Sequence, residues 1–173
     1  MRTVDNITLI GMPGSGKSTI GVLLAKKLGY RFIDSDLLIQ EQEGRLLKDI
    51  IAREGDEGFS RIENQVNAQI QAVKTVIAPG GSVVYCKEAM EHLSQISLIV
   101  YLRISCSSLK ERLGDLKSRG VLLKDGMTLD DLYAERAPLY ERYGEVVLDV
   151  DNLTMGEVLD SFLLTCPEFH PDR

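Results

Sequence analysis

Tryptophan is absent from this chain, and cysteine, proline and phenylalanine are scarce: three, five and four residues among 173. Cys86, Cys106 and Cys166 lie far apart, are odd in number and show no C-x-x-C spacing. That pattern argues against a disulfide framework or a thiolate metal site, and it implies reduced thiols in a cytoplasmic protein. No apolar run approaches the ~20 residues needed to cross a bilayer, so no membrane partner is expected. The first apolar run begins within a few residues of Met1, so no signal peptide is expected. Basic runs are missing too, and with a net charge of −6 the chain is not expected to bind nucleic acid. Internal repeats and low-complexity tracts are likewise absent. What remains, 44% hydrophobic and 27% charged residues, is ordinary globular composition. A single monomeric domain over residues 1–173 is expected, with enough chain for a substantial core.

Against that plain background one stretch stands out: Gly11-Met12-Pro13-Gly14-Ser15-Gly16-Lys17-Ser18-Thr19. It follows the apolar run Ile7 to Ile10 and precedes a helical stripe of Ile20, Leu23, Leu24 and Leu28. Strand, glycine-rich turn and helix, with G-x-x-x-x-G-K-S intact, is the phosphate-binding P-loop. The glycines let successive backbone N–H groups converge on one concavity, and the helix that begins at Lys17 adds its positive end. Gly14, Ser15, Gly16, Lys17, Ser18 and Thr19 are therefore the candidate nucleotide-binding residues. Lys17 is suited to the β- and γ-phosphates and Ser18 to a Mg2+ position.

The rest of the chain alternates short apolar strands with helical patterns. Strands are expected at Tyr30–Asp34, Val76–Ala78, Ile96–Leu102 and Val146–Leu148. Helices are expected over Leu37–Ala52 (interrupted near Gly44), Phe59–Val73, Lys87–Leu93, Ser105–Leu113, Thr128–Tyr143 and Met155–Leu164. Thr128 with Asp131 forms a capping-box start. The tail, residues 166–173, has no periodicity and is expected to be loose. Such alternation implies an α/β fold: a parallel sheet covered on both faces, with ligands beyond the carboxyl ends of its strands.

Several polar residues fall at those ends. Asp34 and Asp36 close the second strand, and an extended backbone would aim both carboxylates the same way. One can hold Mg2+ through water and the other can accept a proton from a substrate hydroxyl; alternatively, Asp34 or Ser35 caps the next helix. Gly80-Gly81-Ser82 permits a close backbone approach to a ligand, or makes a plain tight turn. Arg136 shares the apolar stripe of Leu129, Leu132 and Tyr133, and Glu63 shares that of Phe59, Ile62 and Val66. A charge on a core-facing stripe needs a partner. Arg136 meets either an internal carboxylate or a substrate carboxylate, Glu63 needs a donor, and an Arg136–Glu63 pair would satisfy both. Arg119, with Lys117 and Lys124, lies in a glycine-bounded stretch, residues 114–126, that reads as a lid or as a solvated loop.

With these residues placed, the chain resembles the shikimate kinases, small P-loop enzymes that phosphorylate the 3-hydroxyl of shikimate with ATP. The likeness runs from about Asn6 to Leu164 and includes Asp34-Ser35-Asp36, the segment from Gly55 to Glu63 with its F-x-R-x-E ending, and Arg136-Ala137-Pro138-Leu139-Tyr140. It implies a P-loop NTPase fold: a five-stranded parallel sheet of order 2-3-1-4-5, helices on both faces, a lid, and a substrate-binding region over residues 35–62. It also implies roles. Lys17, Asp36 and Arg119 are catalytic, Asp36 as base and Arg119 as the lid cation. Asp34 and Ser18 serve Mg2+, and Arg112 stacks on adenine. Asp36, Gly80, Gly81, Arg136 and Glu63 line the acceptor site, with Arg136 on the shikimate carboxylate.

Three departures bear on the acceptor and adenine sites. Ser60 stands where the family has a second carboxylate-binding arginine, and Arg61 lies ~100° round the helix from it. Ser82 replaces a glycine, and Asn152-Leu153 replaces an arginine after the last strand. The implied activity is ATP- and Mg2+-dependent phosphorylation of shikimate, a step of aromatic amino-acid biosynthesis. Two alternatives stand beside it: a kinase of another small hydroxylated metabolite, and a nucleotide-binding protein without transfer activity.

Overall fold

The computed structural model describes residues 4–114 and 126–170. Five strands are joined by helices: β1 (Asn6–Ile10), α1 (Lys17–Leu28), β2 (Arg31–Asp34), α2 (Ser35–Glu43), α3 (Leu47–Ala68), β3 (Thr75–Ala78), α4 (Lys87–Ile96), β4 (Ser97–Arg103), α5 (Cys106–Leu113), α6 (Leu129–Tyr143), β5 (Val146–Asp149) and α7 (Met155–Thr165). Short 3-10 turns occupy Gly81–Tyr85 and Pro167–Phe169. Every strand pair is parallel, in the order β2-β3-β1-β4-β5.

β1 lies at the centre, and all five of its residues are buried. A strand covered on both faces tolerates polar side chains only if they are satisfied. Asn6 donates to the carbonyls of Ala72 (2.8 Å) and Ile96 (2.9 Å) and accepts from the Thr75 N–H (3.0 Å). It thereby closes the amino end of the sheet. Thr8 and Ser97 share a 2.7 Å hydroxyl contact across β1 and β4. The candidate site residues collect at the opposite, carboxyl end.

α6 is fixed at both ends of its inner stripe. The Thr128–Asp131 capping box starts it, as the spacing predicts. Tyr140 stacks on Tyr101 (centroids 5.3 Å apart) and donates its hydroxyl to the Gly81 carbonyl at 2.7 Å. This anchors the helix one turn beyond Arg136 and ties it to the turn after β3.

Two expectations need correction. The helix expected to reach Val73 ends at Ala68, and residues 69–74 carry the chain into β3. The tail is not loose over residues 166–170: Cys166 and Phe169 are buried, and the Phe169 ring lies 5.8 Å from that of Phe162. A single aromatic anchors it, which no periodicity could reveal. The interruption expected near Gly44 is present (φ 63°), and a second break falls at Gly55 (φ 70°, ψ 179°). Both conformations favour glycine.

Candidate active site

The P-loop joins β1 to α1. Gly11 (φ 153°) lies so near the Leu102 carbonyl that a Cβ there would stand 2.7 Å from its oxygen. Gly16 is the left-handed residue before α1 (φ 99°, ψ 15°), and no side chain among the described residues caps that helix. Its first N–H groups therefore face the loop's concavity without a side-chain acceptor, which is the arrangement an anion completes. Ser15 is buried, and its Oγ has no partner among the described residues. Ser18 and Thr19 are exposed at the mouth.

Lys17 is buried and donates to the carbonyls of Gly11 (2.8 Å) and Met12 (2.9 Å). Burial is the main cause of its lowered pKa, about 8; Arg136 pushes the same way, whereas Asp36 and Asp34 favour the charged form. Groups from α1, α2 and α6 thus share one electrostatic chamber.

Asp34 and Asp36 do converge, but not as an extended pair. Asp34 is the N-cap of α2: its Oδ1 accepts from the N–H groups of Asp36 (2.9 Å) and Leu37 (3.4 Å). Asp36 therefore sits in the first helical turn. Capping and site-facing roles coexist, because Asp34 Oδ2 also accepts from the Ser18 hydroxyl at 3.5 Å. Burial first, and then Asp34, raise the Asp36 pKa, while Lys17 opposes them.

Gly80 and Gly81 form the chamber's floor. A Cβ on Gly80 would lie 3.2 Å from both Asp36 Oδ1 and Glu63 Oε2, and one on Gly81 would lie 3.0 Å from Arg136 Nη1 and from Pro13 Cδ. A side chain at either position would crowd two carboxylates, a guanidinium and the Pro13 ring.

The internal Arg136–Glu63 pair is not made. Among the described residues no carboxylate lies within 4.0 Å of Arg136. Its guanidinium sits over the Tyr85 ring at 5.4 Å, and its buried Nε has no hydrogen-bond partner among the described residues. Glu63 is only 1% exposed, and the Ser82 hydroxyl lies 2.8 Å from each of its oxygens. The Cys86 thiol donates to Oε1 at 3.5 Å. Burial lifts the Glu63 pKa to about 7, and Asp36 adds to the rise; Ser82, Cys86 and Arg136 moderate it. Ser60 is partly buried, with its hydroxyl 4.0 Å from Cys86 Sγ, and Arg61 is exposed.

Ser82 and Cys86 are contacts that sequence reasoning did not assign to Glu63. Ser82 was visible only as a departure from a glycine pattern, and nothing local marks Cys86. Arg112 lies on α5, its Nη2 3.5 Å from the Val150 carbonyl, and the next residue, Leu113, packs against Gly14. Arg119 and most of the expected lid lie outside the described residues.

A parallel sheet with this loop after its central strand, and a chamber opposing carboxylates to cations, defines a P-loop phosphotransferase. The family model for shikimate kinase matches residues 13–167. A shikimate kinase of Actinobacillus succinogenes is 36% identical over 98% of this chain and 99% of its own length. One from Francisella tularensis subsp. novicida is 38% identical over 92% of this chain and 93% of its own. The solved shikimate kinase of Acinetobacter baumannii, in complex with shikimate, superposes with a TM-score of 0.84 at 29% identity, covering 96% of this chain and 94% of that one. The chain belongs to the shikimate kinase family.

Proposed function

We propose that this protein transfers the γ-phosphoryl group of ATP to the 3-hydroxyl of shikimate. The observation that supports the acceptor half best is Arg136, a buried guanidinium with no carboxylate within 4.0 Å among the described residues, set beside the bare backbone of Gly81. Such a cation is poised for an acceptor carboxylate in bidentate geometry. The nucleotide half rests on the uncapped start of α1, the unpartnered Ser15 hydroxyl and Lys17.

Lys17 exchanges its own loop's carbonyls for phosphate oxygens, so binding ATP breaks two internal hydrogen bonds and makes charge-assisted ones. Gly14 to Thr19 cradle the phosphates, and Arg112 flanks the base. Asp36 receives the acceptor hydroxyl and orients it for in-line attack; its raised pKa favours taking up the proton. Gly80 and Gly81 touch the acceptor through backbone, Glu63 borders it, and Arg119 supplies the lid's cation at the transferring group.

The donor set suits Mg2+. Ser18 and Asp34 offer hard oxygens at one point, and no group of three or more His, Cys, Asp or Glu gathers around a metal position among the described residues. That is the pattern of an ion held chiefly by substrate phosphates and water. When bound, Mg2+ neutralises charge on the transferring phosphates.

An acceptor-dependent ADP-release assay tests the reading: ADP is expected only with Mg·ATP and shikimate together. Arg136→Ala is expected to raise the shikimate KM by about tenfold or more, with the ATP KM little changed. Equal effects on both would remove Arg136 from the acceptor site. A second reading, a kinase of a hydroxylated acceptor gripped by a single cation, is favoured by Ser60 and by the outward Arg61. Turnover of another hydroxy acid in a panel where shikimate is inert would establish it.

A further inference from the structure

We propose that Ser82 is a positioning residue for the acceptor: it holds the Glu63 carboxylate off Arg136, so that Arg136 stays free for the acceptor's own carboxylate. The inference rests on the reading above that Arg136 grips that carboxylate.

The geometry poses the problem that Ser82 solves. Glu63 Oε2 lies against Gly80 and Arg136 Nη1 against Gly81, so neighbouring residues separate a buried acid from a buried guanidinium. Opposite charges in a dry chamber gain most by meeting, and an internal pair would leave nothing for an incoming anion. Yet their charged atoms stand more than 4.0 Å apart. Each is held from its own side. On the acid, Ser82 Oγ bridges Oε1 and Oε2 at 2.8 Å each, and Cys86 Sγ adds a 3.5 Å contact. On the cation, the Tyr85 ring packs at 5.4 Å, and Nε has no partner among the described residues. The hydroxyl is the stronger restraint on Glu63, because a thiol is a weak donor. Ser82 belongs to the turn whose Gly81 carbonyl receives the Tyr140 hydroxyl, so the same turn restrains both charged groups.

Removing the hydroxyl should let Glu63 swing to Arg136 and compete with the acceptor's carboxylate, and the assays are run at pH 8, where the carboxyl is ionised. Ser82→Ala and Ser82→Gly are tested together, so that one of the two reports if the other fails to fold. Each is expected to raise the shikimate KM about tenfold, with kcat and the ATP KM within about twofold of wild type. Ser82→Thr, which keeps the hydroxyl, is expected to restore the shikimate KM. In a Glu63→Gln background, where the side chain carries no charge to compete with, Ser82→Ala is expected to add no further rise. An unchanged shikimate KM, a parallel rise for shikimate and ATP, or an equal effect in the Gln background would overturn the inference alone. A wild-type protein inert toward shikimate, or an Arg136→Ala variant with normal shikimate KM, would overturn the underlying reading and this inference with it.

Discussion

Glu63 carries an energetic cost that a single substitution can expose. An isolated carboxyl of this kind titrates near 4.5, whereas burial holds Glu63 up to about 7 in the folded chain. Below pH 4.5 the group is protonated in both states, and stability is unaffected. Between 4.5 and about 7 the unfolded chain has released a proton that the folded chain still holds, so stability falls as pH rises through that window. At pH 8 the accumulated loss is ~3 kcal/mol, taking ~1.4 kcal/mol per pKa unit. Glu63→Gln removes it. Urea denaturation should show the variant gaining on wild type by up to ~3 kcal/mol at pH 8 and by little at pH 5. An advantage of equal size at both pH values would mean that folding does not raise the Glu63 pKa. Lys17→Met is expected to lower kcat/KM by ~10^2-fold or more if the ammonium takes its proposed place on the transferring phosphoryl group.

Elements differ in how far their residues announce them, and the reason is range. The P-loop and the α6 start were legible because each is a local device: glycines at fixed offsets, and Thr128 bonding to a residue three ahead. The turn at Asp34 is local too, but it offered two outcomes, and the carboxylate's capping bonds chose the helix, placing Asp36 on α2 rather than on an extended strand. The strand order was implied by resemblance alone, because crossovers over 60 or more residues leave no local trace. The Glu63–Ser82 contact joins residues 19 apart, and the stripe pattern could say only that each charge needed a partner. The tail failed as a reading for a related reason: its ordering depends on Phe169 finding Phe162 and the buried Cys166 beneath it. Phe169→Ala is therefore expected to cost ~3 kcal/mol of stability, read as a lowered denaturation midpoint with the urea m-value unchanged. A loss under ~0.5 kcal/mol would return the segment to the surface.

For the molecule as a whole, the consequence is that ligands should stabilise it by satisfying what the fold leaves unsatisfied. The connections after β1, β2 and β4 bring Lys17, Asp36, Glu63 and Arg136 to one end of the sheet, where the desolvation of Lys17, Asp36 and Glu63 opposes folding. The uncapped α1 and the Ser15 hydroxyl add unmade hydrogen bonds at the same place. Mg·ATP at 100 times its dissociation constant is expected to add about 2.7 kcal/mol. For a chain of 173 residues that corresponds to a rise of roughly 5–10 °C in Tm. Chelating the Mg2+ should remove part of the shift, and Lys17→Met most of it, whereas the same ionic strength supplied as sodium chloride should produce none. Since only binding to the folded state raises Tm, a wild-type midpoint indifferent to Mg·ATP would mean that the loop after β1 does not hold nucleotide phosphates.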